Sequence, residues 1–191
     1  MKMTDETKYS LSQFFGFGYY SLLDFENSFL WDDVQIRKFL DSISKAAEYF
    51  ERTKEYEIVD IGVVKVFSVK YNGVAEIIDG KQRLLIMSLC LSALFAWFEN
   101  GHGGIEEDAY DLFLYSGDKT RLQLNEPVNS FYYHLLLNGV SVNAPVGSFF
   151  SSWLHNVCLI VSEYVESLSL QQIHLVTGII TELTVFQVEY V

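Results

Sequence analysis

The chain has 191 residues, of which 50% are hydrophobic and 16% aromatic, and its formal net charge is −12. This composition excludes a disordered chain and a small disulfide-dependent domain, and it suits one domain, or one domain with a helical extension. The acidic charge repels phosphate backbones, so any contact with nucleic acid must be local or come from another chain.

The cysteines and the apolar runs indicate the compartment. Cys90 and Cys158 lie in apolar stretches that we predict to be helical, which is typical of buried free thiols. The longest apolar run, residues 84–98, is shorter than the roughly 20 residues of a bilayer span, so we interpret it as a core helix. Residues 1–6 contain no apolar signal core. We therefore expect a cytoplasmic protein with no membrane partner.

The first third of the chain divides into an aromatic segment and a helix. Residues 9–30 carry many aromatic side chains without a clear period, and we predict short extended pieces and turns packed on a core. The sequence Trp31-Asp32-Asp33 then opens a helix, with an aspartate as N-cap. Apolar residues at helical spacing extend this helix to about residue 52.

A strand pair and a second helix follow. Residues 58–69 are rich in β-branched side chains, Asn72-Gly73 is a strong hairpin signal, and residues 74–78 return as the second strand. That strand ends at Asp79-Gly80, and the next helix begins at about residues 81–83. This helix is apolar almost all round, which predicts burial on most sides.

The pattern of the second half predicts mostly helices. We predict helices over residues 105–115, from an Asn125 cap to 138, from 148 to 168 and from 169 to 183. Residues 121–124 form a short extended piece, and residues 184–191 alternate like a strand. The fold class that we predict is α+β, with a small mixed sheet and a mostly helical second half.

The junction between the second strand and the apolar helix offers the most chemistry. A helix start is partly positive, Lys81 and Arg83 add two cations, and Gln82 adds an amide, which together suit a phosphate or another anion. Asp79 at the strand end could hold Mg²⁺ or a water. From these residues alone a capped turn with solvated cations stays open, since the spacing is neither a Walker A motif nor a Rossmann fingerprint.

The sequence Ile78-Asp79-Gly80-Lys81-Gln82-Arg83-Leu84 resembles a family signature. It is similar to the Asp-Gly-Gln-Gln-Arg motif of the ParB/sulfiredoxin-like domain at the N-terminus of GmrSD-type, modification-dependent restriction endonucleases. Three further segments fit in order. Residues 25–31 lie where the family has an aromatic-Gln-Arg-x-aromatic-x-Trp motif, residues 31–36 continue as the helix that follows it, and residues 121–126 resemble a later extended piece and its helix start. The resemblance covers about residues 10–191.

The resemblance implies a fold and a function. It implies a ParB-like α/β core over residues 1–100, a helical insertion over 101–183 and a returning strand over 184–191, where the chain is shorter than the family. In that family the signature is linked to binding and hydrolysis of a nucleoside triphosphate with Mg²⁺. This step licenses cleavage of modified phage DNA by a separate nuclease. The implied partner is therefore a nuclease domain or subunit, with modified DNA reached through it.

The resemblance also assigns residues. Asp79, Gln82 and Arg83 would be catalytic, and Gly80, Lys81, Gln82 and Arg83 would bind the nucleotide, while no dedicated metal site is assigned. Lys81 stands where the family usually has a glutamine. The sequence contains no His-Asn-His nuclease motif, so we do not expect nuclease activity from this chain alone.

Two observations leave alternatives open. The family's Gln-Arg is Glu26-Asn27 here, and losing a charged hydrogen bond to an anion costs about 1.5–3 kcal/mol. A catalytically degenerate binding or scaffold module of the same fold, or a ParB-like DNA adaptor, therefore stays open. Separately, the glycine-rich loop that carries His102 lies near the acidic residues 106–108, which permits a metal-site hypothesis.

Overall fold

The fold is α+β, as predicted, and we describe it from a computed structural model over residues 8–22, 30–67, 74–102, 105, 108–145 and 147–191. The helices in these residues are α1 (Leu11–Gly16), α2 (Asp33–Thr53), α3 (Lys81–Trp97), α4 (Ala109–Phe113), α5 (Val128–Asn138), α6 (Phe149–Ser167) and α7 (Leu170–Gly178). The strands are β1 (Lys8–Ser10), β2 (Tyr19–Ser21), β3 (Val59–Phe67), β4 (Val74–Asp79), β5 (Tyr115–Ser116), β6 (Lys119–Thr120), β7 (Leu122–Gln123) and β8 (Thr184–Tyr190).

The larger sheet is mixed and has the strand order β1-β8-β3-β4-β2-β7, while β5 and β6 form a separate hairpin. Strands β4, β2 and β7 run parallel to one another, and β3 and β8 form a second parallel pair. The β3–β4 and β1–β8 pairs are antiparallel. Three strands in a row therefore end at the same edge of the sheet, where β4 leads directly into α3.

Helix α2 confirms the prediction for its segment. Asp32 is the N-cap, its carboxylate accepts from the Gln35 amide, and the Gln35 side chain accepts from the Asp32 amide, which is a reciprocal capping box. The helix ends at Thr53, and the C-cap Lys54 adopts a left-handed conformation. Its apolar face, including Ile36, Leu40 and Ile43, is buried in the core.

The prediction for residues 9–30 is wrong in one place, because residues 11–16 form helix α1 rather than a turn. Ser10 and Gln13 make a capping box at its start, with the Ser10 hydroxyl accepting from the Gln13 amide. Phe14 and Phe15 are buried, and the Phe14 ring stacks on Tyr20 with centroids 4.0 Å apart. The Ser-x-x-Gln spacing was the available signal, but the crowded aromatic residues hid the helical period.

The strand pair β3–β4 forms as predicted, with Val66 opposite Ile77 in antiparallel register. The predicted Asn72-Gly73 turn lies outside the described residues. Strand β3 is irregular, because its register with β8 shifts between Asp60 and Val63. Gly62, between them, has a φ of +85°. An extra residue of this kind is a β-bulge, which bends a strand and re-aims the groups beside it.

Helix α3 is buried on most sides, as its sequence predicts. The segment Phe98–His102 continues it, but the backbone angles of Asn100 and Gly101 are not helical. Over Lys81–Gly101 this helix is apolar and long enough for a membrane span, but 67% of its most apolar window is buried inside the fold. It is the one such candidate among the described residues, and burial of this extent is what the core helix of a soluble protein shows.

The second half departs from the predictions at two helix boundaries. Helix α4 is confined to Ala109–Phe113, and the β5–β6 hairpin that follows it was not predicted. Helix α5 begins after Pro127 rather than from an Asn125 cap, and the Glu126 carboxylate accepts from the Ser130 amide of its first turn at 3.3 Å. Helices α6 and α7 start after Ser148 and Ser169 as predicted, and β8 confirms the final strand.

One continuous apolar core joins the sheet to the helices, and both cysteines lie in it. Burial raises the pKa of the Cys90 thiol to about 12 and that of Cys158 to about 11. Because the thiolate is the reactive form, both thiols should be inert in the native protein.

We expect that an aromatic disulfide reagent labels neither cysteine of the native protein at pH 8, and that it labels two thiols per chain after unfolding in urea. Rapid labelling of the native protein would contradict the burial of Cys90 on α3 and of Cys158 on α6.

Candidate functional site

The candidate site is the turn between β4 and α3. Strand β4 ends at Asp79, Gly80 has a φ of +89°, and α3 begins at Lys81. The Gly80 amide donates to Oδ1 of Asp79 at 2.7 Å, so the carboxylate holds the turn. The Asp79 side chain is nevertheless 63% exposed, and it lies beside a helix start. One carboxylate with this exposure is compatible with Mg²⁺, which commonly takes one or two protein carboxylates and completes its ligands with phosphates and water.

Gly80 is required by both backbone conformation and space. A φ of +89° is rarely adopted by residues with a side chain, and a Cβ at this position would lie 2.9 Å from Cγ2 of Val64 on β3. The glycine therefore lets the start of α3 approach the middle of the sheet. This fixes where the helix N-terminus points.

We predict that Gly80→Ala lowers the free energy of unfolding by about 2–4 kcal/mol, because backbone strain and overpacking act together. Gly101→Ala is the matched control, since Gly101 has a φ of +100° but no atom within 4 Å of the place that a Cβ would take. Its free energy of unfolding should fall by about 1 kcal/mol, from backbone strain alone. Urea denaturation measures both variants. Equal losses would show that contact with Val64 does not matter.

Arg83 lies on the first turn of α3 and reaches back to β3. Its Nη1 donates to the carbonyl oxygen of Ile61, and its Nη2 donates to that of Val63 at 2.9 Å. The side chain is only 20% exposed, and Nη2 lies 3.9 Å from Oδ1 of Asp79. The guanidinium thus joins the two carbonyl groups on either side of the bulge at Gly62. Two of its five N–H donors are used in this way.

The bulge itself was missed by sequence analysis. Gly62 faces Arg83 so closely that a Cβ would lie 3.2 Å from Nη1. Asp60 supports the bulge, because its carboxylate accepts from the Gly62 amide at 2.9 Å and from Nζ of Lys8 at 2.6 Å. The hydrogen bond from Lys8, followed by that from Gly62, lowers the pKa of Asp60. A single glycine within a β-branched run was the signal for a bulge.

We predict that Arg83→Lys destabilises the protein by about 2–3 kcal/mol, because one ammonium cannot reproduce two bonds to separate carbonyls and leaves a part-buried acceptor unpaired. Arg37→Lys is the control, since Arg37 is 53% exposed and makes a surface ion pair with Glu163 at 2.6 Å. Its effect should stay below about 0.5 kcal/mol. Thermal and urea unfolding measure the difference, and similar effects of the two substitutions would contradict the role assigned to Arg83.

Gln82 connects the turn to the rest of the fold. Its Oε1 accepts from the Trp31 amide at 2.6 Å, and the Trp31 carbonyl in turn accepts from Nε1 of Trp153 at 2.8 Å. Three helices are therefore tied together at one residue just before α2. The segment predicted as the second motif, residues 25–31, ends at this point. Its positions 26 and 27 lie outside the described residues.

The third motif segment reaches the same edge of the sheet. Strand β2 lies between β4 and β7, with Ser21 opposite both Glu76 and Gln123 in parallel register. Residues 124–126 come directly after β7, and Asp79 is the last residue of β4. Both therefore lie at the same edge of the sheet. The Glu126 carboxylate accepts from the Ser130 hydroxyl at 2.7 Å, and this bond lowers its pKa. In open α/β sheets, ligands bind outside the carboxyl ends of parallel strands, and both segments follow strands that end at this edge.

The charges at this edge are mixed. Lys81 is half-buried at the start of α3, where the helix dipole, Lys81 and Arg83 all contribute positive charge. Among the described residues, no three His, Cys, Asp or Glu side chains are grouped so that they could hold a metal ion. The alternative site in the glycine-rich loop depends on the side chains of His102, Glu106 and Glu107, which lie outside the described part of the structure.

The chain matches no model of a protein family, and no curated protein matches it. The resemblance to the GmrSD-type domains therefore depends on the motif residues and on the order of the elements that carry them.

Proposed function

We propose that this chain is a nucleotide-binding, NTPase-type regulatory domain of a GmrSD-like DNA restriction and phage-defence protein. In this proposal the nuclease is a partner domain or subunit, modified DNA is reached through that partner, and the protein acts in the cytoplasm. The observation that carries the proposal is the contact between two motif segments. Gln82 of the Asp79–Arg83 turn is hydrogen-bonded to Trp31, which ends the second segment.

The geometry supports binding of an anion at this turn. A helix N-terminus, the cation of Lys81 and the partly exposed guanidinium of Arg83 lie within one helical turn of one another. Phosphates are bound in many proteins by this combination of helix dipole and cationic side chains. The rigid turn at Gly80 and the bulge opposite it would keep these groups in place before the ligand arrives.

Each residue of the turn has a role in the proposal. Lys81 and Arg83 would neutralise the phosphates, and Gln82 would orient the segment that ends at Trp31 against the nucleotide. Asp79 would ligate Mg²⁺, which on binding would neutralise charge on the phosphate oxygens. Gln82 also links α3 to Trp31, which lies just before α2. Binding of a nucleotide at the turn would therefore be communicated to α2 and α6 through Trp31 and Trp153.

The proposal predicts that the purified protein binds ATP or GTP in the presence of Mg²⁺, measured by calorimetry with the non-hydrolysable analogues. Lys81→Met should weaken binding about tenfold or more, because it removes one charge-assisted hydrogen bond. Lys45→Met is the control, since Lys45 is 73% exposed on α2 and pairs only loosely with Asp41 at 3.7 Å. Absence of binding, or equal weakening by the two substitutions, would overturn the proposal.

A second candidate function is a degenerate binding or scaffold module of the same fold. The observation that favours it is that Gln82 and Arg83 both make structural bonds, to the Trp31 amide and to the carbonyls of Ile61 and Val63. Side chains held in this way can preserve the turn after catalysis has been lost. Phosphate release at saturating nucleotide separates the two functions. Binding without turnover supports the degenerate module, and turnover that Lys81→Met abolishes supports the NTPase.

A further inference from the structure

A cavity of about 340 Å³ lies between the C-terminal halves of α3, α5 and α6. Its inner wall is apolar and buried, with Leu89, Leu135, Cys158 and Val165 among its lining residues. For comparison, an apolar cavity of about 150 Å³ holds a benzene molecule. The volume therefore suits a ligand body somewhat larger than one aromatic ring.

This cavity is separate from the turn at the other end of α3. Its lining residues on that helix run from Leu89 to Trp97 in the second half of α3, whereas the Asp79–Arg83 turn lies at the start of the helix. At a rise of about 1.5 Å per residue, the two places are roughly 20 Å apart. The proposed nucleotide site at the turn therefore does not account for this cavity.

The rim of the cavity is polar and carries negative charge. Asn100, Asn138 and Glu166 are exposed there, and the Ser162 hydroxyl donates to Oε1 of Glu166 at 3.4 Å. Glu166 is the one charged side chain among the described residues that line the cavity, and none of them is Lys, Arg or His. The thiol of Cys158 stays neutral, because burial raises its pKa to about 11.

The backbone adds to the same sign of charge. Helix α5 ends at Asn138 and α6 ends at Ser167, so two helix C-termini lie beside the cavity. Each helix C-terminus carries about half a negative charge. The Ser92 hydroxyl already donates to the Leu136 carbonyl at 2.6 Å, and the Gly139 amide donates to that of Leu135. These bonds hold the wall of the cavity in place.

We infer that this cavity binds a small organic cation, namely an ammonium group on an aromatic or alicyclic body. The apolar inner wall takes the body of the ligand, and the ammonium lies at the rim beside Glu166 and the helix C-termini. Trp97 at the wall adds an aromatic surface, which favours cations within about 6 Å of its ring. The net charge of −12 steers cations towards the protein as a whole. The inference does not depend on nucleotide binding at the Asp79–Arg83 turn.

The test uses three probes that share one body and differ in charge: 2-phenylethylammonium, 2-phenylethanol and 3-phenylpropionate. Calorimetry at low salt should show the cation binding about tenfold more tightly than the alcohol, and no measurable binding of the carboxylate. Raised salt should weaken binding of the cation and leave that of the alcohol unchanged. Equal affinity for the cation and the alcohol, or no binding of either, would overturn the inference.

Two substitutions locate the site. Glu166→Gln keeps the shape of the rim and should weaken binding of the cation about threefold or more, because one charge is lost. Glu163→Gln is the matched control, since it removes the same charge from the same helix at a residue that does not line the cavity. Equal weakening by the two would show that only the net charge matters and would overturn the site.

Filling the cavity gives a second test. Ala93→Phe places a ring among the lining residues and should abolish binding of both the cation and the alcohol. Circular dichroism and the urea midpoint show whether this variant folds. If it does not fold, the paired glutamate substitutions, which change only exposed side chains, decide the question. Unchanged affinity in a folded Ala93→Phe protein would place the ligand elsewhere and overturn the inference.

Discussion

The bonds from Arg83 to the carbonyl groups of Ile61 and Val63 join the first turn of the central helix to the middle strand of the sheet. Without them, two backbone acceptors at the bulge of β3 would face a part-buried space with no donor, which is costly. The bulge permits β3 to pair with β8 on one side and with β4 on the other, despite register shifts on both sides. The start of α3, and so the Asp79–Arg83 turn, is held against the sheet by this guanidinium together with the close approach at Gly80.

The same interaction explains why the turn can be both a structural joint and a candidate ligand site. Gly80 brings the helix start close to Val64, Arg83 fixes it to the strand, and Gln82 fixes it to Trp31. A site that is held rigidly before its ligand arrives loses less entropy on binding, which is the usual benefit of preorganisation. The cost is that the residues of the motif cannot be changed one at a time without affecting the fold, so function and stability must be measured together.

Most elements could be predicted from the sequence, because their signals are local. The Asp32 cap, the β-branched run of β3 and the all-round apolar α3 each depend on residues close together in the chain. The order of the strands could not be predicted in this way. Parallel pairing of β2 with β4 and β7, and insertion of β8 between β1 and β3, are contacts between distant segments that leave no periodic pattern.

The candidate site was predictable only in part for a related reason. Sequence analysis singled out residues 79–83, and the structure places them at one turn. It could not show that Arg83 faces backbone carbonyls, because the acceptors belong to a strand about twenty residues earlier and arise from a bulge. The helix α1 was missed because a dense run of aromatic residues, all needed for the core, obscures a period of 3.6. In both cases packing across the fold outweighed the local pattern.

Strand β8 has an interior place in the sheet, between β1 and β3, although it is the last strand described. During synthesis the row β3-β4-β2-β7 can therefore pair before this segment leaves the ribosome, whereas β1 has no neighbour among the described strands until then. Long-range parallel pairing of this kind forms slowly, since loop closure over more than a hundred residues precedes any gain in contacts. A nascent chain would thus hold its helices early and complete its sheet late, which makes the order of translation part of how this fold is reached.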